Sequence, residues 1–91
     1  MKSRIEIYYC VQCGWLLRSA WIAQELLVTF QDEIASLALC PGSGGVFDVI
    51  VNGNLLWSRK QQGRFPELAE IKVLLRDQIA PEKNLGHSEK K

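Results

Sequence analysis

The segment Arg4-Ile5-Glu6-Ile7-Tyr8-Tyr9-Cys10-Val11-Gln12-Cys13-Gly14-Trp15 decides how the rest of the chain is read. Ile5 and Ile7 alternate with Arg4 and Glu6, and two aromatic residues close the run. A period of two over such residues predicts a strand with one buried face. The cysteines and Gly14 interrupt it, and from Trp15 the period changes. Leu16, Ala20, Ala23, Leu27 and Phe30 recur at steps of three and four, and Trp15, Ile22 and Leu26 widen the apolar face. Arg18 and Glu25 are left on the outer side, so a mostly buried helix from Trp15 to Phe30 is expected. A Cys-x-x-Cys pair thus stands where a strand passes into a helix.

Beyond that helix, Gln31-Asp32 marks a turn. From Ile34 to Cys40, Ala35, Leu37 and Leu39 alternate against Ser36, Ala38 and Cys40, which predicts a second strand. Pro41-Gly42-Ser43-Gly44-Gly45 reads as a loop. Val46 to Val51 is a β-branched, aromatic-containing run, and Asn52-Gly53 turns it back into Leu55-Leu56-Trp57 as a hairpin, because both turn residues tolerate positive φ. Gln61 to Arg64 reads as another loop. Pro66 suits the first turn of a helix. Leu68, Ile71, Leu75 and Ile79 then form one helical stripe with Leu74 beside it, and Pro81 stops the helix.

The expected order is β-α-β-β-β-α, an α/β domain of four strands and two helices in two or three layers. The first two strands are expected to be parallel through a right-handed crossover, with the hairpin adding an antiparallel pair. Residues 1–81 form the expected domain and 82–91 a loose polar tail.

Composition narrows the function. Ninety-one residues make one domain. A hydrophobic content of 47% rules out disorder throughout. Eleven Lys+Arg against 10 Asp+Glu, a net charge of +1, argues against a nucleic-acid binder. No apolar run approaches the roughly 20 residues of a membrane span. The apolar stretch after Lys2 and Arg4 is interrupted by Glu6, Gln12 and Arg18, which does not fit a signal peptide. A cytoplasmic location is expected, where thiols are kept reduced. Three cysteines are too few, and odd in number, for a disulfide scaffold.

Cys10 and Cys13 are the candidate catalytic residues. The first N–H groups of a helix lack intrahelical partners, and with the macrodipole they favour a nearby thiolate, the nucleophilic form. Two intervening residues let both sulfurs meet, so the pair can form a mixed disulfide and resolve it internally. Two other readings compete. A structural zinc site wants four ligands, and the only further Cys or His residues are Cys40 and His87, without a second paired spacing. Inert, buried cysteines are the other alternative. Cys40 ends the second strand on the edge where Cys10 is expected, and reads as core or as an accessory thiol. His87 reads as solvated. Trp15, Trp21 and Trp57 read as core or partly exposed packing, with Trp15 placed to shape a partner's approach. Arg59, Lys60 and Arg64 form a basic cluster, either solvated or attracting an anionic thiol such as glutathione.

Taken together, Tyr9-Cys10-Val11-Gln12-Cys13, Pro41-Gly42-Ser43-Gly44-Gly45-Val46-Phe47-Asp48-Val49, Asn52-Gly53, Trp57-Ser58-Arg59-Lys60, Gly63-Arg64-Phe65-Pro66-Glu67, Asp77 to Pro81 and Leu85-Gly86-His87 carry a resemblance. The chain resembles the selenoprotein W-like group of the Rdx family, in particular its bacterial cysteine-containing members. The resemblance runs from Ile5 to about His87. It implies a thioredoxin-like fold, a four-stranded mixed sheet in the order 2-1-3-4, and thiol-based redox function. In the selenoprotein relatives, selenocysteine occupies the second motif position, here Cys13, which makes Cys13 the reactive group and Cys10 its partner. Thioredoxin logic assigns attack to the first cysteine instead, and both assignments stand at this point. Thioredoxins proper carry a cis-proline loop opposite the motif. Here Pro41 lies five residues before Val46, and the glycines are expected to provide backbone approach to a substrate.

The expected function is a small thiol-disulfide redox protein, acting in cell redox homeostasis with protein thiols or glutathione as partners. It calls for no cofactor, metal, membrane or nucleic acid. The alternative is a redox-sensitive protein-binding module without turnover, whose surface includes Trp15, Phe47 and the glycine loop. Exposed strand edges leave pairing of two copies open.

Overall fold

The computed structural model describes residues 1–86. The elements run β1 (Ser3–Cys10), α1 (Leu16–Thr29), β2 (Ile34–Gly42), β3 (Phe47–Val51), β4 (Asn54–Ser58), α2 (Arg59–Gln62) and α3 (Leu68–Ile79). The strands form one sheet in the order β2-β1-β3-β4. β1 pairs in parallel with β2 and antiparallel with β3, and β3 pairs antiparallel with β4. This is the mixed sheet that the resemblance implies.

One face of the sheet is covered. Ile5, Ile7, Phe47, Val49 and Val51 point into a core shared with Ile22, Ala23, Leu26 and Phe30 of the α1 segment and Ile71 and Leu75 of α3. Arg4, Glu6, Tyr8, Ser36 and Ala38 alternate with the inward residues and are exposed. The domain therefore has two layers, with an open outer sheet face.

The expected count of two helices is corrected to three. α2 is a single turn where a loop was expected from Gln61. The Ser58 hydroxyl accepts a hydrogen bond from the Gln61 N–H at 3.4 Å, and the Gly63 N–H, at φ 79°, donates to the Arg59 carbonyl at 2.7 Å. Four residues give no apolar stripe to read, so only such caps reveal a turn of this kind.

Three element details also differ. The buried residues of α1 are Ser19, Ile22, Ala23 and Leu26, whereas Leu16 and Leu27 of the expected stripe are exposed. Ser19 had no hydrophobicity to mark it. In β2, a bulge beside Ile34 shifts the register, so Ile34 is buried and Ala35 exposed before Leu37 and Leu39 turn inward. β2 also continues through Pro41-Gly42, opposite Tyr9 and Cys10, where a loop was expected. Pro41 lies on the sheet's edge strand, a position that tolerates proline.

α3 begins at Leu68, after Pro66. Glu67 is its N-cap at φ −75°, ψ 152°, and forms a reciprocal capping box with Glu70. Of the expected tail, residues 82–86 are described. The Arg76 guanidinium donates to the Lys83 carbonyl at 2.8 Å, Lys83 pairs with Glu33 at 3.3 Å, and Leu85 packs against the core. Residues 87–91, with His87, lie outside the described residues.

The hairpin turn is tied to the central strand. Asn52 takes φ 51° and Gly53 φ 85°. The Asn52 side-chain oxygen accepts from the Arg4 N–H at 2.9 Å, and its amide donates to the Ser3 hydroxyl at 3.2 Å. Asn52→Ala removes both bonds and strains the left-handed backbone, and should lower unfolding free energy by about 1–3 kcal/mol in urea titration. Asn52→Gly keeps the backbone freedom and should be milder. Ser19 is fully buried and its hydroxyl has no partner among the described residues. Ser19→Ala is expected to raise stability by roughly 0.5–1 kcal/mol, because it removes an unmet polar group and favours helix.

Candidate functional site

β1 ends at Cys10, and residues 11–14 form a tight turn before α1. The Val11 N–H donates to the Gly42 carbonyl at 3.1 Å, the Gly14 N–H to the Val11 carbonyl at 3.0 Å, and the Trp15 N–H to the Cys10 carbonyl at 3.4 Å. Gly14 sits at φ +75°, a conformation suited to glycine. These bonds anchor the turn to β2 and close it on itself ahead of α1. The Cα atoms of Cys10 and Cys13 are 5.3 Å apart, and a disulfide joins the two residues.

The two sulfurs are not equivalent. Cys10 is 1% exposed, whereas Cys13 is exposed. The Cys13 N–H donates to Cys10 Sγ at 3.3 Å. Trp15 stands at the N-cap of α1 without a side-chain capping bond, and the first turn holds no acidic residue. The helix therefore presents an uncapped positive end close behind the motif.

The neighbouring loops converge on the same edge. Gly42 pairs with Cys10, and a Cβ there would lie 2.8 Å from a Val46 methyl and 3.4 Å from the Tyr9 carbonyl. Gly42 thus brings the backbone of the glycine segment against the motif itself. Gly42→Ala should displace the Val46 loop and cost about 1–3 kcal/mol of stability, measured by chemical denaturation.

Aromatic and basic side chains border the motif. Trp15 and Phe65 meet edge to face with centroids 4.9 Å apart, and Phe47 lies 5.0 Å from Phe65. The Arg59 guanidinium lies 4.8 Å from the Trp15 centroid, and Arg18 lies 4.3 Å from that of Phe65. The basic cluster of Arg59, Lys60 and Arg64 is divided. Arg64 is held by Glu70 in a two-point ion pair at 2.9 and 2.8 Å, and that hydrogen bonding pushes its guanidinium further into the charged form. Arg18 instead joins Arg59 at the Phe65 ring. It reads from the sequence as an outward helix residue, and only the fold of Phe65 back over α1 reveals its position.

Cys40 is set apart from the pair. It stands opposite Tyr8, two positions before Gly42, about 7 Å along the strand from the motif's level. Burial pushes its thiol upward from the ordinary value, the Glu6 carboxylate adds to this, and a hydrogen bond with Tyr8 partly offsets it. Glu6 likewise raises the Tyr8 hydroxyl. Among the described residues no group of three or more His, Cys, Asp or Glu could hold a metal ion.

A mixed four-stranded sheet in this order, with a Cys-x-x-Cys disulfide between the first strand and its helix, defines a thioredoxin-like protein. The model of the Rdx family matches residues 4–77. The chain belongs to the Rdx family. It is similar in structure to the selenoprotein W-related protein from Vibrio cholerae, at 54% identity and a TM-score of 0.84, covering 86% of this chain and 98% of that one. It is also similar to a protein from Bordetella parapertussis, at 51% identity and a TM-score of 0.84, covering 87% of this chain and 100% of the other. No curated protein matches the chain. Family, fold and disulfide together fit a redox role.

A raised thiol holds less thiolate at a given pH and reacts more slowly. In a Cys10→Ser/Cys13→Ser variant, Cys40 should be alkylated by iodoacetamide more slowly than a free thiol at mildly alkaline pH. Glu6→Gln should shift its rate–pH profile to lower pH.

Proposed function

We propose that the protein is a thiol-disulfide redox protein in which Cys13 is the entering sulfur and Cys10 the resolving one. The observation that carries this reading is the asymmetry of the pair, with Cys13 exposed and Cys10 1% exposed. A partner's sulfur reaches Cys13 without disturbing the core. The placement favours the assignment drawn from the selenocysteine position over the order of thioredoxin.

In the reduced protein, the Cys13 thiolate attacks one sulfur of a partner disulfide. That bond breaks, a mixed disulfide forms, and one partner thiolate leaves. Cys10, as thiolate, then attacks Cys13 Sγ. The Cys10–Cys13 bond forms, the second partner thiolate leaves, and solvent protonates both leaving groups. The partner gains two electrons and the protein loses two. Two equivalents of glutathione, or one protein dithiol, reverse the process. The positive end of α1 supports the anionic sulfur through each step. The cytoplasm, where thiols are kept reduced, suits this cycle. Among the described residues no helix is long and apolar enough to cross a membrane.

Val11, at the tip of the turn, is apolar and 56% exposed, which favours a second reading as a redox-sensitive binding module without turnover. Trapping separates the two. Cys10→Ser removes the resolving sulfur and should accumulate mixed disulfides through Cys13, released by reductant, whereas Cys13→Ser should accumulate few. Adducts on Cys13→Ser alone would reverse the assignment. A Cys10–Cys13 disulfide that never forms across glutathione redox buffers would end the redox reading. Partners kept by a double Cys→Ser variant would favour the binding module.

A further inference from the structure

The surface around Trp15 and Phe65 holds positive charge that enters no ion pair among the described residues. Ion pairs among the described residues engage Arg64, Lys72, Arg76 and Lys83 with carboxylates. Arg18, Arg59 and Lys60 take part in none of these. Arg18 and Arg59 instead share one ring, their guanidinium carbons 4.3 and 5.5 Å from the Phe65 centroid. The two cations therefore stand within about 10 Å of each other, roughly one Debye length at moderate salt, and repel. Arg18 also lies in the first turn of α1, where the helix dipole disfavours a cation. Lys60 extends the rim, its ammonium 3.9 Å from where a Cβ on Gly44 would stand.

Stacking explains how the guanidinium groups are held. A guanidinium laid over an aromatic face keeps its N–H edge free for an in-plane acceptor. Trp15, under Arg59, is two residues from Cys13. Arg59 is therefore held on the ring that directly follows the Cys10–Gly14 turn, with Arg18 on the neighbouring Phe65 ring. Carboxylates are the anions that match a guanidinium fork in two-point contact.

Resting on the dithiol reading above, we propose that Arg18 and Arg59 recognise carboxylates flanking the reacting sulfur of the partner, so that the substrate class is an acidic disulfide. Both a protein segment with Asp or Glu beside its cystine and a small carboxylate-bearing disulfide present this chemistry. Complementary charge acts mainly on encounter, so the preference lies in the second-order rate and weakens with salt.

The test uses the reduced full chain and peptide disulfides of one framework, flanked by acidic, neutral or basic residues, with glutathione disulfide as the small-molecule arm. Oxidation of Cys10 and Cys13 is followed by stopped-flow quenching and thiol labelling. The acidic peptide should react about tenfold faster than the neutral one at low ionic strength, with the advantage shrinking as salt is raised. An Arg18→Gln/Arg59→Gln double variant should bring the acidic-to-neutral ratio near one, whereas Lys2→Gln, at the far end of β1, should keep it. Salt dependence in the unsubstituted protein reads the same charges without relying on the variant's folding. An advantage for the acidic peptide assigns a protein source, and one confined to glutathione disulfide assigns the small-molecule source. Equal rates throughout, or a preference that survives the double variant, would overturn the proposal and leave the dithiol chemistry standing. No reaction with any disulfide would overturn both.

Discussion

Strand β1 is hydrogen-bonded on both sides, in parallel to β2 and antiparallel to β3, and this double pairing fixes where Cys10 stands. The strand cannot slide by one residue without turning Ile5 and Ile7 out of the core and Glu6 into it. Its last residue is therefore set by apolar burial well away from the chemistry. The hydrogen bond from Val11 to Gly42 continues the ladder by one step, so the turn inherits the position of the sheet. The first sulfur is buried because it terminates a central strand, and the second is exposed because the turn has left the sheet.

Most of this was legible in the sequence because two periods meet at the cysteines. The alternation up to Tyr9 and the three-to-four spacing after Trp15 located the motif, and Asn52-Gly53 located the hairpin. What was not legible has specific causes. Ser19 is a polar residue on the buried face of α1, so the apolar stripe was centred too far toward Leu16 and Leu27. Pro41-Gly42 has the composition of a turn but extends β2, because the edge of the sheet asks nothing of the proline N–H. α2 is formed by Ser58 and Gly63 as caps and has no stripe. The division of the basic cluster was also hidden, since Arg64 finds Glu70 only after α3 is capped, and Arg18 meets Phe65 only in three dimensions.

The aromatic group beside the motif links packing to electrostatics. Phe47 belongs to the core, Phe65 leans on it, and Trp15 meets Phe65 edge to face. A stack rooted in the hydrophobic interior thus ends in side chains that hold two guanidinium groups at the surface. The order of burial, from Phe47 outward, lets two cations stand close together, neither of them in an ion pair among the described residues. Cys40 illustrates the opposite environment two positions along β2. Partial burial and Glu6 suppress its thiolate there, so one small domain keeps two kinds of sulfur chemistry apart.

The disulfide closes a ring across a sequence separation of three. A cross-link that short removes far less freedom from an unfolded chain than one spanning the domain, because the entropy it restricts grows with the length of the loop. The Cys10–Cys13 bond is therefore a poor staple. By that entropy it contributes about 2 kcal/mol, against nearly 5 for a cross-link closing a loop of about 100 residues. The bond that carries the electrons is thus a minor share of what holds the chain folded, and the sheet rather than the bond sets where the sulfurs stand.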